Sequence, residues 1–264
     1  MGLRLREIRR DAGLSGRTLA ALAGWHFTRI SKIEHGRTVL TKADLELWCF
    51  HCQAQSELPD LLASIRSIER MYLELRRLHR SGTARYQREL LEGERQTHRF
   101  RSFTTSLIPG VLQTREYATA LLVDIAEMMG HPADVEPTVD LRMERGQLLR
   151  SGKLFHFVIM QSALAPGVVP ADVMRSQLEY LLEAQALPGV RLGILPSRVR
   201  HYMALCEFWI TDDACVEVET FSAILKIERP GEIAVYAKVF DHYAQQAVYG
   251  ESSRDVIHEM LRDL

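Results

Sequence analysis

The chain has 264 residues, 47% of them hydrophobic and 25% charged, with a formal net charge of −1. That balance is globular, with enough chain for one large core or two smaller ones, and it excludes extensive disorder. No apolar run approaches the roughly 18 residues of a membrane span, and the opening "MGLRLREIRRDAG" lacks a signal's apolar core, so a cytoplasmic chain with reduced cysteines and no membrane partner is expected.

The small net charge hides an asymmetry. Residues 1–42 hold nine Lys/Arg against three Asp/Glu, residues 43–60 hold four acidic residues and no Lys/Arg, and residues 61–100 hold nine Lys/Arg against five Asp/Glu. These balances of +6, −4 and +4 leave −7 for the remaining 164 residues. A basic head on an acidic body points to a polyanion partner for the head alone.

The first helix is expected to place Leu3, Leu5 and Ile8 on one side, among four arginines, and to stop at Gly13. Ser15 stands where an N-cap belongs for "GRTLAALAG", with Leu19 and Leu22 as core candidates. Ala20 permits close helix crossing, and Gly24 permits a tight turn between helices. His26 is a weak cap for a third helix that runs through Ile30 and Ile33 and stops at Gly36. Thr41 and Asp44 then read as a capping box, followed by Leu45, Leu47 and Trp48 as core contributors. "CFHC" at 49–52 lacks a second ligand pair for zinc, so Cys49 and Cys52 read as small buried hydrophobes and no metal is expected.

Four short helices with a glycine turn between the second and third make a helix-turn-helix DNA-binding domain. The residues "LREIRRDAGLSGRTLAALAG…ISKIEHGRTVLT" resemble the lambda and 434 repressor-type (XRE) domain across residues 3 to about 55, with "SKIEHG" the most recognisable part. The resemblance implies that residues 27 to 32 lie at the major-groove edge of double-stranded DNA. By chemistry, Thr28 suits base edges or a thymine methyl, Phe27 suits that methyl, Lys32 suits guanine N7 and O6, and Arg29 suits a base or a phosphate. Arg17, Arg37 and Thr38 suit phosphates. Gly16 stands where relatives often carry a polar phosphate ligand, leaving its backbone N–H for that contact. The resemblance also matches Glu34 to Arg9 as a buried ion pair rather than a DNA contact.

From Leu61 to Leu78 apolar residues recur every three or four positions, as in one long helix with a buried stripe. "HRSGTARYQ" (79–87) reads as a break and "RELLEGERQTHRFRSF" as a polar, partly helical return. Pro109-Gly110 marks a turn, with a helix from about Thr114 carrying Tyr117, Ala118, Leu121 and Leu122. A helix at 139–152, a buried strand at 154–160, a helix after Pro170 and a strand "VRLGILP" follow. "CEFWIT" and "CVEVET" read as a hairpin, "SAILKIE" as a third antiparallel strand, and the chain closes with two helices, the last capped by Ser252 or Ser253.

The fold class expected is α+β overall, an all-α helix-turn-helix domain followed by a larger mixed α+β domain. The boundaries are 1–58 for the head, 59–98 for a helical bridge and 99–264 for the body. The segments "IPGVLQTREYATALL", "RMERGQLL" and "MRSQLEYLLEAQALPGVRLGILP" resemble the large domain of actinobacterial XRE regulators described as antitoxin-like, over about residues 90–260; the tryptophan-rich segment common before the Pro-Gly string is absent. That resemblance implies a small partner protein encoded nearby; the acidic body is expected to supply the dimer interface and receive the signal. None of the nucleophile-elbow, phosphate-loop, zinc-helix or dinucleotide motifs occurs, so neither catalysis nor a cofactor is expected. The function expected is a sequence-specific, dimeric regulator on a near-palindromic operator. The alternatives are an antitoxin-like interaction protein, or a sensor of a small-molecule effector with Phe155, Phe157, Trp209 and Tyr236 lining a pocket.

Overall fold

A computed structural model describes residues 1–65, 83–129, 135–200, 206–220 and 224–264. The chain divides into two compact units, Met1–Tyr72 and Leu73–Leu264.

Among its described residues the first unit holds helices alone: α1 (Gly2–Asp11), α2 (Gly16–Leu22), α3 (Phe27–Glu34), α4 (Lys42–His51) and α5, described over residues 58–65. Local chemistry sets the ends. Ser15 accepts from Thr18 N at 3.1 Å, His26 Nδ1 accepts from Thr28 N at 3.4 Å, and Thr41 and Asp44 exchange both capping-box bonds. Between α2 and α3 the chain turns through Gly24 at φ +67°, where a side chain would strain the backbone. Leu5, Ile8, Leu19, Ala20, Ile30, Ile33, Leu45, Trp48, Cys49, Cys52 and Leu61 form the core, and Trp48 Nε1 donates to Leu5 O at 3.1 Å. Burial pushes the Cys52 thiol up to about 11 and raises that of Cys49, so both stay protonated. Leu3, Leu22 and Leu47 are exposed instead, because in so small a unit only one stripe of each helix finds cover.

The expected helix over Leu61–Leu78 lies largely outside the described residues; residues 61–65 are helical. In the second unit α6 (Thr83–Gln96) begins inside the segment read as a break. It also covers the first part of the expected polar, partly helical return, whose last residues form β1 (Arg99–Thr104) instead. After a 3₁₀ turn at Gly110–Leu112 come α7 (Arg115–Met129), α8 (Val135–Gly146), β2 (Leu154–Met160), α9 (Ala171–Ala184) and β3 (Val190–Leu195). The antiparallel strands β4 (Phe208–Thr211), β5 (Cys215–Glu219) and β6 (Ile224–Ile227) precede α10 (Pro230–Ala244) and α11 (Glu251–Arg262). Ser252 and Ser253 do not cap the last helix. It starts after Gly250, and the buried Ser253 hydroxyl bonds Gln185 Oε1 at 2.7 Å.

Among the described residues six strands form one mixed sheet in the order β3-β2-β1-β4-β5-β6, parallel from β3 to β1 and antiparallel from β1 onward. The strand that sequence periodicity missed is central. Its alternation is Arg99, Arg101 on one face and Ser102, Thr104 on the other, which reads as polar. Arg101 is accommodated by ion pairs to Asp213 and Asp241 and by stacking on Phe240. Asp212 and Asp213 adopt positive φ in the β4–β5 turn, and the Asp212 carboxylate accepts the His98 and Arg99 backbone N–H groups at the entry to β1.

Helices cover both faces. Phe100, Phe155, Phe157, Ile159, Leu192 and Ile194 pack with Tyr117, Leu178, Leu181, Ile257 and their neighbours from α7, α9 and α11. The opposite face packs Phe103, Val158, Phe208, Ile210 and Val216 against Ile233, Phe240 and Tyr243 of α10. The four aromatics expected to line one pocket are therefore split. Phe155, Phe157 and Trp209 belong to the first face, with Phe155 stacked on Phe157 at 5.7 Å, whereas Tyr236 lies against Phe208 on the second.

Candidate nucleic-acid interface

Helix α3 is fixed from behind and at both ends. Ile30 and Ile33 are buried in the core of the first unit. Near its start, Arg29 Nη2 bonds Asp44 Oδ1 at 2.7 Å while the guanidinium lies 4.7 Å from the Trp25 ring. At its end, Glu34 Oε1 accepts from Arg9 Nε at 2.6 Å in a nearly dry setting, and Arg9 Nη1 donates to Leu14 O at 2.7 Å. Gly2 closes the same corner: a Cβ there would come within 2.5 Å of the Glu34 carbonyl oxygen, so α1 can approach the end of α3 only without a side chain.

These restraints leave one stripe free. Thr28, Ser31, Lys32 and His35 are exposed, at the spacing of three and four residues that shares a helical face, so Thr28 and Lys32 stand about 6 Å apart along the axis. The Thr28 hydroxyl is oriented by His26 Nδ1 at 2.8 Å. Phe27 is not folded onto the core. It is 49% exposed, with the Arg17 guanidinium 5.6 Å from its ring. Gly16 opens α2, and a Cβ there would meet Ile30 Cγ2 at 3.5 Å. Arg37 is exposed and Thr38 half-buried, directly after the stop of α3 at Gly36.

Two differences from the sequence reading stand out. Arg29 is already engaged by Asp44 and Trp25, so a base contact from it would require breaking both. Ser31 and His35 join the exposed stripe although neither was assigned a role; the signal for them is their spacing from Thr28 and Lys32. Hydroxyl, ammonium and imidazole groups on a clamped helix offer the donors and acceptors that major-groove base edges require.

A helix-turn-helix domain model matches residues 1–62, which places the head in the helix-turn-helix class of DNA-binding domains. The larger part of the chain, residues 87–259, matches a family described as a domain of unknown function (DUF5753), and the chain belongs to that family. No curated protein and no solved structure gives a match. No helix among the described residues is long and apolar enough to cross a membrane.

Proposed function

We propose that the chain is a cytoplasmic, non-enzymatic, sequence-specific transcriptional regulator of XRE type. Thr28 and Lys32 read base edges, with Phe27 beside them, and Gly16, Arg17, Arg37 and Thr38 hold phosphates. The observation that carries this reading is the exposed stripe of α3, held rigidly by the Arg9–Glu34 and Arg29–Asp44 pairs behind it. One head buries too little surface for tight operator binding, so a homodimer with recognition helices about 34 Å apart reads a near-palindromic site. The sheet domain supplies the dimer contact and receives a signal, from a small effector or from a partner protein encoded nearby.

The test is genome-wide capture of DNA fragments by the purified full chain at several salt concentrations. A shared near-palindromic sequence that survives rising salt is expected, because contacts to phosphate alone fade steeply. Capture that is uniform across the genome and vanishes with salt would refute sequence-specific recognition.

A further inference from the structure

β3 lies at one edge of the sheet, and that edge is only partly covered. Backbone groups of a strand alternate sides. The Gly189 carbonyl points to β2, where it accepts Phe155 N–H at 2.8 Å, whereas Ile194 points away and exchanges two backbone bonds with Val248, at 3.0 and 2.8 Å. Leu192, two residues before Ile194, therefore also points away from β2. Val190 N–H closes locally on the Leu187 carbonyl at 3.1 Å, but the outward N–H and C=O of Leu192 have no partner among the described residues. Gly250 is the reason. Continued pairing beyond Val248 would bring residue 250 opposite Leu192, yet at φ +59° the chain leaves the edge there and enters α11.

A cavity of about 290 Å³ lies along this gap, lined by Val190, Arg191, Leu192, Gly250, Glu251 and Arg254 among others. Its volume is at the low end for ligand pockets, and the exposed Arg191, Gly250 and Glu251 leave it open to solvent. Both arginines are held by neutral partners. The Arg191 guanidinium lies 4.4 Å from the Tyr249 ring. Gly193 admits that ring against β3, since a Cβ there would come within 2.5 Å of it, and the Tyr249 hydroxyl is fixed by His156 Nε2 at 2.9 Å and the Ala244 carbonyl at 3.0 Å. Arg254 Nη1 donates to the Leu182 carbonyl at 3.1 Å. Neither arginine forms an ion pair among the described residues. Glu251 stands in the first turn of α11, where the helix dipole answers its charge. The lining thus keeps positive charge without a counter-ion.

We propose that this cleft binds the C-terminal end of an extended peptide, its backbone paired with Leu192 and its terminal carboxylate on Arg191 and Arg254. The edge selects a peptide, because an open donor and acceptor on a strand are a template for another extended chain. Val248 selects a chain end. It already holds the next place along the edge, so a strand passing straight through would run into it and the bound segment has to stop in the cleft. The arginines select which end, since guanidinium groups without a counter-ion attract a carboxylate and repel an ammonium. Binding rests on the cleft alone; its use as the signal that the sheet domain receives rests on the regulator reading above.

The test is fluorescence anisotropy of the full chain with fluorescein-labelled hexapeptide pools, random except for a fixed last residue, each made as the free acid and as the C-terminal amide. At least one free-acid pool binds, and its amide binds about tenfold to a hundredfold more weakly. Arg191→Met and Arg254→Met each weaken the free acid towards its amide. Methylating the backbone nitrogens of the last two peptide residues weakens binding as well, and hydrogen exchange in residues 190–193 slows when the unmethylated peptide is bound. The acid-against-amide comparison uses the parent chain, so it decides the matter even where a variant fails to fold. The proposal is overturned if no free-acid pool binds, if an amide binds as well as its acid, or if both arginine variants bind undiminished. Equal binding by an amidated pool with a fixed internal Glu also overturns it, because the acid recognised is then a side chain. Loss of all sequence-specific DNA binding would sink the regulator reading and leave the anisotropy standing.

Discussion

Replacing Glu34 by alanine isolates what holds the recognition helix in place. The carboxylate is 8% exposed and the Arg9 side chain 11%, with the two in contact at 2.6 Å; Arg6 adds a second, longer pair at 3.7 Å. Without Glu34, Arg9 keeps only its bond to the Leu14 carbonyl and becomes a buried charge lacking a counter-ion. Removing one partner of such a pair costs about 3–5 kcal/mol, a large share of the roughly 5–15 kcal/mol of a whole domain. The chain has two units, so a single melting temperature does not report on the head alone. Hydrogen exchange of peptides from residues 1–62 in the full chain does, and protection should fall by roughly two to four orders of magnitude. Arg9→Met/Glu34→Leu, which removes both charges, should return protection close to the parent value. Unchanged protection in Glu34→Ala would refute the reasoning, as would a double variant no better than the single one.

Lys32→Ala should weaken binding to the preferred operator by about 1–3 kcal/mol and relax its sequence preference, with hydrogen exchange of the head unaltered; competition against scrambled duplexes measures it. Asp44→Ala removes the carboxylate that completes the Thr41 capping box and binds Arg29, and should cost roughly 1–2 kcal/mol in urea unfolding of the head. His156, hydrogen-bonded to Tyr249 at 2.9 Å, is lowered from 6.5 to about 4 by burial and then by Arg191 and Arg101. The unfolded chain therefore takes up this proton first as pH falls. The contribution of His156 is present in full above about pH 6.5 and declines towards pH 4, and His156→Gln should flatten that part of a stability-against-pH curve.

What local chemistry controls could be read directly. Ser15 and the Thr41–Asp44 box bond to backbone groups three residues away, Gly24 and Gly36 adopt the positive φ that their turns need, and Ile30 and Ile33 repeat at the helical period. The continuous apolar runs of β2 and β3 and the Asp-Asp hairpin between β4 and β5 were legible for the same reason. The pairing of Arg9 with Glu34 entered through family resemblance, and the two side chains meet 25 positions apart in the chain.

Only tertiary structure decided the rest. β1 looks polar because its charges are answered from elsewhere: Asp212, 114 residues on, accepts the His98 backbone N–H, and Asp213 and Asp241 answer Arg101. Arg29 is chemically suited to DNA, and only the fold shows that Asp44 and Trp25 already engage it. Leu3 and Leu22 fit an apolar stripe, but which stripe is covered depends on where neighbouring helices cross. Caps and periodicity act over about one helical turn, whereas sheet order, cover and the matching of buried charges are settled between segments that the sequence keeps far apart.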